Sequence, residues 1–567
     1  MHYSSATFLF LVIVLVVILS TCKPKDFHYQ FDKSLVAEKA MIVTAHPLAS
    51  KIGTDILQKG GNAIDASIAV QFALAVCYPQ AGNIGGGGFM VYRDAKGEVR
   101  TLDYREKAPL LATEDMYLDA DGNVTDKSIK GHLAAGVPGS VAGMFEAFQK
   151  FSKLKDWKAL VQPAIQLAEK GFIITQQEAD NLNEEKAEFI SVNKFKPVFC
   201  KDIWKEGDRL TQKELAHTLK AIKDKGADGF YKGEVANLIV SDMKKNNGII
   251  TLKDLEVYKP VWRPSISFDY RGYTIYSMGP PSSGGIVLNQ IMKSVEPYDL
   301  KSMGFHSPEC VHLMVEAERR AYADRATHLG DSDFYAVPQN ELTDSAYIAE
   351  RMKNFDPHKA TDSKSISAGS FAKESDQTTH FCIVDQFGDA VSVTTTLNAS
   401  YGSHAIVEGA GFILNNEMDD FSAKPGTPNM YGLIGAEANK IEPGKRMLSA
   451  MTPTIVVKDG ILKIVVGTPG GSTIITSVFQ TLVNIIDFGM SASEAVAAPR
   501  FHHQWQPDVI QIEEDCLQAE TKKVLEAMGH TIKIRDKIGR VEAIIIKAPH
   551  QIQGGADVRG DDDAEGF

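Results

Sequence analysis

The sequence predicts a layered α/β sandwich. Strand and helix patterns alternate through the first part of the chain, strands dominate after residue 377, and the end returns to strand, helix and strand. This order of elements is typical of sheets covered by helices. A length of 567 residues and a hydrophobic content of 44% are sufficient for a large core. The length alone allows two to four domains or one large α/β unit.

The N-terminal part predicts helices packed on a first group of strands. Strand patterns at residues 41–44 and 89–92 flank two helix patterns, at residues 49–59 and 65–77. The second helix is apolar almost all round and is therefore expected to be buried. The glycine run 85–88 fits neither phosphate-loop pattern, so we interpret it as close packing of the backbone against a neighbouring sheet.

The middle of the chain predicts a long charged helix and then a connector. Residues 312–329 form a helix pattern whose charged side chains suggest salt-bridged faces. Its histidines, His312 and His328, are not at metal-ligand spacing, so surface or capping roles are expected. Residues 339–377 are polar and predict an exposed connector, a kind of segment that is easily cut.

Charge and cysteine content argue against two classes of function. The net charge of -12 and the pI of about 5.7 do not fit a nucleic-acid-binding surface. The five cysteines after Cys22 are far apart and form no CxxC motif, so neither a disulfide framework nor a zinc site is indicated. We expect no metal and no other cofactor.

Residues 1–22 predict a signal peptide. The apolar run 8–19 would span about 18 Å as a helix, which is short of the roughly 30 Å core of a bilayer. This length suits a signal segment better than a membrane span. Leu19-Ser20-Thr21-Cys22 resembles a bacterial lipobox. The protein is thus expected to be exported, either periplasmic or anchored as a lipoprotein through Cys22; an uncleaved anchor is a third possibility.

The junction at Thr378 begins a predicted β-hairpin. Strand patterns at residues 379–384 and 390–397 flank the turn Gln386-Phe387-Gly388. A three-residue loop with Gly388 in the left-handed conformation would place Thr378 opposite Thr396. A four-residue loop would place Thr379 there instead. Since threonine is common in strands, the hairpin alone does not establish a catalytic role.

Several short motifs, spread from residue 85 to residue 472, are specific in combination. They are the glycine run 85–89, Asp103-Tyr104-Arg105-Glu106, residues 280–285, Gln377-Thr378-Thr379-His380-Phe381, Thr394-Thr395-Thr396-Leu397-Asn398, Asn415-Asn416-Glu417-Met418-Asp419-Asp420-Phe421, Lys445-Arg446-Met447-Leu448-Ser449 and Pro469-Gly470-Gly471-Ser472. Together they resemble the γ-glutamyltranspeptidases. The likeness covers residues 30–567, nearly the whole mature chain.

The resemblance implies the αββα sandwich of the N-terminal nucleophile hydrolases. It also implies self-cleavage between Gln377 and Thr378, which gives a large subunit, residues 23–377, and a small catalytic subunit, residues 378–567. Thr378 would attack the amide carbonyl of glutathione or another γ-glutamyl compound and form an acyl-enzyme. Water would then complete hydrolysis, or the amine of an amino acid or peptide would complete transfer.

The catalytic assignments carried over from the family are physically reasonable. Cleavage before Thr378 would give this residue a free α-amine. Its reference pKa near 7.7–8.0 allows the amine to act as the base for the hydroxyl of the same residue. The hydroxyl of Thr396 can hydrogen-bond Thr378. Gly470 and Gly471 can present backbone N–H groups to the oxyanion just before a helix N-terminus. Without the resemblance, these two glycines would be read as a plain turn before a helix.

The substrate's free α-carboxylate and α-amine require both charges in the site. The resemblance assigns Arg105, helped by Asn398 and Ser449, to the carboxylate, and a guanidinium suits a carboxylate through its bidentate geometry. Glu417 and Asp420 are assigned to the ammonium.

Two features near the predicted pocket vary within the family. Ala450 stands where many relatives have a second serine, which would remove a hydrogen bond of about 0.5–1.5 kcal/mol. Residues 423–446 contain Tyr431, a further substrate-binding candidate. In some relatives this stretch covers the glutamyl pocket, and its glycine- and proline-rich composition suits a mobile cover.

Two other functions compete with this reading. The first is an acylase for glutaryl-type side chains, such as a cephalosporin acylase, whose substrate lacks the α-amine. The presence of both Glu417 and Asp420 argues for γ-glutamyl compounds. The second is a surface lipoprotein that binds γ-glutamyl compounds without turnover, against which Thr378 and Thr396 argue.

Overall fold

Two seven-stranded sheets form the centre of the molecule. The computed structural model describes residues 29–366, 378–424, 426–427, 429–430 and 435–567. The strands are β1 Ser34–Ala37, β2 Met41–Thr44, β3 Gly87–Arg93, β4 Val99–Asp103, β5 Phe172–Ile173, β6 Arg209–Leu210, β7 Val261–Arg263, β8 Ile266–Tyr270, β9 Tyr273–Ser277, β10 Thr379–Val384, β11 Ala390–Thr396, β12 Thr454–Lys458, β13 Ile461–Gly467, β14 Phe501–His502, β15 Ile510–Ile512, β16 Ile532–Ile534, β17 Glu542–Ala548, β18 Gln551–Ala556 and β19 Asp563–Gly566.

Helices lie on the outer side of each sheet. They are α1 Pro47–Gln58, α2 Ala63–Cys77, α3 Ser140–Phe151, α4 Trp157–Lys170, α5 Gln176–Glu184, α6 Lys186–Val192, α7 Lys213–Lys225, α8 Asp228–Tyr231, α9 Gly233–Lys245, α10 Leu252–Val257, α11 Gly284–Val295, α12 Leu300–Met303, α13 Pro308–His328, α14 Gln339–Leu342, α15 Ser345–Met352, α16 Thr473–Ile486, α17 Ala492–Ala497 and α18 Ala519–Ala527.

The layers follow from three hydrophobic clusters. One sheet has the order β1-β18-β17-β13-β12-β9-β8 and the other β19-β2-β10-β11-β3-β4-β7. Apolar side chains from both sheets, including those of Val43 and Val465, pack between them. A second cluster joins the β10-containing sheet to helices α1 to α4, and a third joins the other sheet to α11, α13 and α16. The predicted four-layer αββα sandwich is therefore confirmed.

The β10–β11 hairpin has the predicted register. Cys382 pairs with Ser392 and His380 with Thr394. Gly388 takes the left-handed conformation with φ of 93°, and the side chain of Asp385 accepts the N–H groups of the turn. The hairpin lies at the centre of its sheet, with β2 beside β10 and β3 beside β11.

Helix α2 shows why the second predicted helix is buried. Asn62 and Asp65 form a capping box at its N-terminus, and every residue from Ala63 to Cys77 is buried. A capping box satisfies two backbone donors of the first turn without help from water, so the helix can begin inside the core. The prediction of a buried helix is confirmed.

The two predictions made for residues 312–377 are partly wrong. His312, expected at the surface or in a cap, is 1% exposed, because α13 is covered on several sides by the C-terminal region. The predicted exposed connector contains helices α14 and α15, which Leu342 and Ile348 anchor in the core. Residues 367–377 lie outside the described residues, as do the predicted signal segment and Cys22. No helix within the described ranges is long and apolar enough to cross a membrane.

Gly467, at the end of β13, packs directly on the imidazole of His380. A Cβ added at Gly467 would lie 2.2 Å from Cε1 of that ring, and the ring is held by a 2.9 Å hydrogen bond to Thr394. We expect Gly467→Ala to lower the free energy of unfolding by about 1–3 kcal/mol, because an overpacked core must move both layers apart. Denaturant titration measures this free energy of unfolding.

Gly460→Asn is the control for this variant. Gly460 lies at an open turn position with φ of 74°, so the substitution should change stability little. Equal stability of the two variants would contradict the packing argument.

Candidate active site

Thr378 and Thr396 meet at one end of the central hairpin. Thr378 directly precedes β10 and is 5% exposed, and Thr396 is the last residue of β11. Their hydroxyl oxygens lie 3.3 Å apart. The Thr396 hydroxyl also accepts the N–H of Asn398 at 2.8 Å, and either of the two threonine hydroxyls can donate to the other. The antiparallel pairing of the two strands therefore brings the hydroxyl groups together, as the register predicts.

A small cavity of about 20 Å³ opens beside Thr378. It gathers most of the candidates predicted from the sequence. Its lining includes Arg105, Thr378, Thr396, Asn398, Asp420, Ser449, Ala450 and Gly471. Glu417 contacts this group through Arg105, and Gly470 lines a second cavity that also contains Thr378. Gln377 and Tyr431 lie outside the described residues.

Arg105 is the centre of a buried ion cluster. Its Nη1 lies 2.5 Å from the Glu417 carboxylate and its Nη2 lies 2.5 Å from the Asp420 carboxylate. Glu106 is a third acid, at 3.6 Å. Arg105, which was assigned to the substrate carboxylate, thus pairs here with Glu417 and Asp420, which were assigned to the substrate ammonium. A ligand that carries both an ammonium and a carboxylate could exchange with these partners without leaving a charge unpaired.

Three acids around one guanidinium make this cluster receptive to a second cation. Burial raises the pKa of Glu417 well above its usual range and raises that of Glu106 to about 8, although Arg105 opposes both shifts. Burial also raises the pKa of Asp420. A bound ammonium would favour the ionised acids and offset the cost of burying them.

Residues 280–285 pack against the segment that carries Ser449, which lines the cavity beside Thr378. The peptide N–H of Ser449 donates to Pro281 O at 2.9 Å, and that of Ser283 donates to Ser449 O at 2.8 Å. Arg325, from α13, donates from Nε to the Ser283 hydroxyl at 2.9 Å and also lines the cavity. We did not predict a site role for Arg325, because in the sequence it resembles one of several salt-bridging residues on that helix.

Gly470 and Gly471 form a turn between the two cavities: Gly471 lines the cavity beside Arg105, and Gly470 lines the second cavity. Gly470 and Gly471 have φ of 137° and 53°, and a Cβ at Gly470 would lie 2.5 Å from the Thr473 hydroxyl. The turn precedes α16, which begins at Thr473 as expected from the sequence. The backbone conformation of Gly470 suits only glycine. The position of the turn near a helix N-terminus favours a developing negative charge.

One other group of side chains has donor atoms at metal-binding distance. Nitrogen or oxygen atoms of His312, Glu316 and His530 lie within 4.8 Å of one another. However, the two imidazoles are hydrogen-bonded to each other at 2.7 Å. The Glu316 carboxylate accepts from Arg319, Arg320 and Thr361, which hold its pKa at about 2. These contacts already engage the atoms that face one another, and they would have to be broken to bind an ion.

Comparison with solved structures identifies the class of protein. The cephalosporin acylase of Bacillus halodurans has a TM-score of 0.83 to this chain, with 25% sequence identity, and the match covers 96% of this chain and 99% of the other. The γ-glutamyltranspeptidase of Helicobacter pylori is 46% identical with a TM-score of 0.56, over 60% of this chain and 97% of the other. Together with the sandwich, these similarities define an N-terminal nucleophile hydrolase.

Sequence comparison identifies the family. The family model described as gamma-glutamyltranspeptidase matches residues 49–567. The glutathione hydrolase proenzyme of Escherichia coli strain K12 is 47% identical over 532 residues, which cover 93% of this chain and 91% of that protein. The chain therefore belongs to the γ-glutamyltranspeptidase family.

Proposed function

We propose that the protein is a γ-glutamyltransferase and glutathione hydrolase that uses Thr378 as its nucleophile. The observation that carries the proposal is the pairing of the Thr378 and Thr396 hydroxyls in a cavity that also contains Arg105 and Asp420. Such a cavity offers a nucleophile together with partners for both charges of a γ-glutamyl group. The relatives named glutathione hydrolase support the same substrate.

Maturation comes first in the proposed sequence. The Thr378 hydroxyl attacks the carbonyl carbon of Gln377, the peptide C–N bond breaks, and the nitrogen becomes the free amine of Thr378 as an ester forms. Water then hydrolyses this ester. The products are the large subunit, ending at Gln377, and the small subunit, beginning at Thr378.

Turnover repeats the same chemistry on a substrate. The α-amine of Thr378 takes the hydroxyl proton while the oxygen attacks the γ-carbonyl, and the Gly470-Gly471 backbone stabilises the oxyanion. The C–N bond of the substrate breaks, and the departing amine takes the proton. Water, or the amine of an amino acid or peptide, then attacks the acyl carbonyl and gives a proton to the α-amine. The α-amine passes this proton to the Thr378 oxygen as the ester C–O bond breaks, which restores the free hydroxyl.

An acylase for glutaryl compounds is the second candidate function. The TM-score of 0.83 to a cephalosporin acylase favours it. A glutaryl group carries no ammonium, so it would not provide a second cation for Glu417 and Asp420. The excess of buried acid around Arg105 therefore favours the γ-glutamyl group.

Two measurements test the proposed function. N-terminal sequencing of the smaller band on a denaturing gel should begin at Thr378, and the enzyme should release aniline faster from a γ-glutamyl anilide than from the matching glutaryl anilide. Faster release from the glutaryl compound would favour the acylase. A single uncut band without activity would favour a non-catalytic binding protein.

Export is part of the proposal. We propose that residues 1–22 direct secretion and that Cys22 is the site of lipidation if the protein is membrane-anchored. In a cell fractionation, Cys22→Ser should move an anchored protein from the membrane to the soluble exported fraction. An unchanged distribution would argue against an anchor at Cys22.

A further inference from the structure

Met430 contacts the substrate pocket through its sulfur. Its Sδ accepts hydrogen bonds from the side-chain amides of Asn416 at 3.6 Å and Asn398 at 3.9 Å. Asn398 lines the cavity beside Thr378 and is one of the residues assigned to the substrate carboxylate. A thioether is only a weak hydrogen-bond acceptor. The Asn398 amide can therefore leave the sulfur at little cost when a carboxylate binds.

The backbone around Met430 is fixed to the same pocket. The peptide N–H of Met430 donates to the Asp419 carboxylate at 2.8 Å, and the side-chain amide of Asn429 donates to the Asp420 carboxylate at 3.2 Å. Asp420 is in turn paired with Arg105. Because these bonds hold the sulfur beside the two amides, a change in the chemistry of the sulfur acts directly on them.

Met430 is more accessible to a soluble oxidant than other methionines around the site. It is partly exposed, whereas Met418 and Met447 are 0% exposed and Met451 is 2% exposed. The susceptibility of a methionine to oxidation follows its exposure. A small oxidant such as hydrogen peroxide should therefore react at residue 430 before it reacts at these buried neighbours.

The thiols are poor competitors for such an oxidant. Within the described ranges, all five cysteines are buried. Burial also raises the pKa of the Cys310, Cys382 and Cys516 thiols. The thiolate is the reactive form of cysteine, so these groups should react slowly with peroxide.

We propose that Met430 is an oxidation site whose sulfoxide hinders binding of the substrate carboxylate at Asn398. Its effect on catalysis rests on the proposed function, in which Asn398 helps to bind that carboxylate. The sulfur lone pair attacks one oxygen of hydrogen peroxide, an S–O bond forms as the O–O bond breaks, and the released hydroxide takes the remaining proton to become water. The methionine loses two electrons and becomes the sulfoxide, and the peroxide is reduced to water.

The sulfoxide competes with the substrate for the Asn398 amide. Oxidation turns an apolar side chain into a polar one, and its oxygen accepts a hydrogen bond more strongly than the thioether sulfur does. The substrate carboxylate must then displace this bond to reach the amide. We expect kcat/KM for a γ-glutamyl anilide to fall by about tenfold, which corresponds to about 1.4 kcal/mol. The loss should appear as a rise in KM with little change in kcat, because Met430 does not touch the reacting atoms.

Peroxide treatment of the mature protein tests the inference. Peptide mass spectrometry should show one added oxygen at Met430, and kcat/KM of the wild type should fall by about tenfold. M430L has a side chain of similar volume without an oxidisable sulfur, so its kcat/KM should be the same before and after treatment. M430Q places an amide oxygen, a stronger acceptor, near the two amides. Without peroxide, its KM should be higher than that of M430L.

Met303→Leu is the matched control. Met303 is partly exposed at the end of α12 and packs against the third hydrophobic cluster. In the part of the chain that the structure describes, it lines neither cavity at Thr378. M303L should lose activity on treatment as the wild type does.

Three results would overturn the inference. They are an equal loss of activity in M430L, an unchanged KM in a wild type that carries oxygen at Met430, and a Met430 that peroxide leaves unoxidised. A wild type that releases no aniline before treatment would instead refute the proposed function itself. The mass-spectrometric result does not depend on activity, so the two failures are distinguishable.

Discussion

Thr378→Ala should leave the chain uncut and reduce release of aniline from a γ-glutamyl anilide to the background rate. The variant lacks the hydroxyl that attacks the Gln377 carbonyl, so neither the cut nor the acyl-enzyme can form. A denaturing gel and an activity assay on the same preparation measure both effects. Thr378→Ser keeps a hydroxyl at this position and should mature and retain activity.

Thr379→Ala separates the two adjacent threonines. Within the described residues, the Thr379 hydroxyl is buried without a hydrogen-bond partner, and Thr379 pairs with Thr395 instead of Thr396. Its removal therefore breaks no contact to the Thr396 hydroxyl, and the variant should still be cut. If T378A were still cut, or if only T379A remained uncut, the nucleophile would be Thr379 and not Thr378.

Arg105→Gln should have the second-largest effect, on both binding and stability. It removes the proposed partner of the substrate carboxylate, and it also removes the guanidinium that pairs with Glu106, Glu417 and Asp420. Breaking a buried ion pair costs about 3–5 kcal/mol of folding free energy. We expect kcat/KM for γ-glutamyl anilide to fall by about two to three orders of magnitude, because truncating one partner of a buried charge pair costs about 2–5 kcal/mol.

The stability loss in Arg105→Gln should depend on pH. Burial already raises the folded pKa of Glu106 to about 8, so this acid binds its proton more tightly in the folded than in the unfolded chain. Such a group favours folding at low pH, and its contribution is lost as pH rises from its unfolded pKa towards about 8. Without Arg105 the folded pKa should rise further, so the Tm deficit should be larger at pH 8 than at pH 5.

Arg100→Gln controls for the loss of a guanidinium outside the buried cluster. Arg100 lies on β4, the strand that leads to Arg105, and its side chain is 24% exposed and paired with Asp94. Surface pairs of this kind contribute about 0–1 kcal/mol, so its Tm should differ little from the wild type at either pH. Equal pH dependence in the two variants would contradict the buried-acid argument.

Local patterns were sufficient to predict the elements that form the hairpin and the first helices. Gly388 marks a turn whose length sets the register, and the register places Thr378 beside Thr396. The apolar run of α2 similarly indicates burial on all sides. These inferences succeed because the relevant contacts lie close together in the chain or follow from one periodicity.

Features that depend on distant contacts could not be predicted in this way. His312 is buried because it meets His530, 218 positions away. Arg325 reaches the pocket through Ser283, and Arg535 and Lys537 line one cavity with Thr378 although they are distant in the sequence. The mutual pairing of Arg105 with Asp420 also joins residues 315 positions apart. Charge patterns in the sequence do not reveal which distant partner neutralises a buried group.

The strand order has a consequence for the two polypeptides that a cut before Thr378 would produce. Strands β10 and β11 would belong to the small subunit, yet they lie between β2 and β3 of the large one, and β12 lies against β9 in the other sheet. Pulling the halves apart would therefore break backbone hydrogen bonds on both sides of the hairpin, which amounts to unfolding. Mature molecules should not exchange subunits with one another, and each would keep the two halves of its own precursor for its whole lifetime.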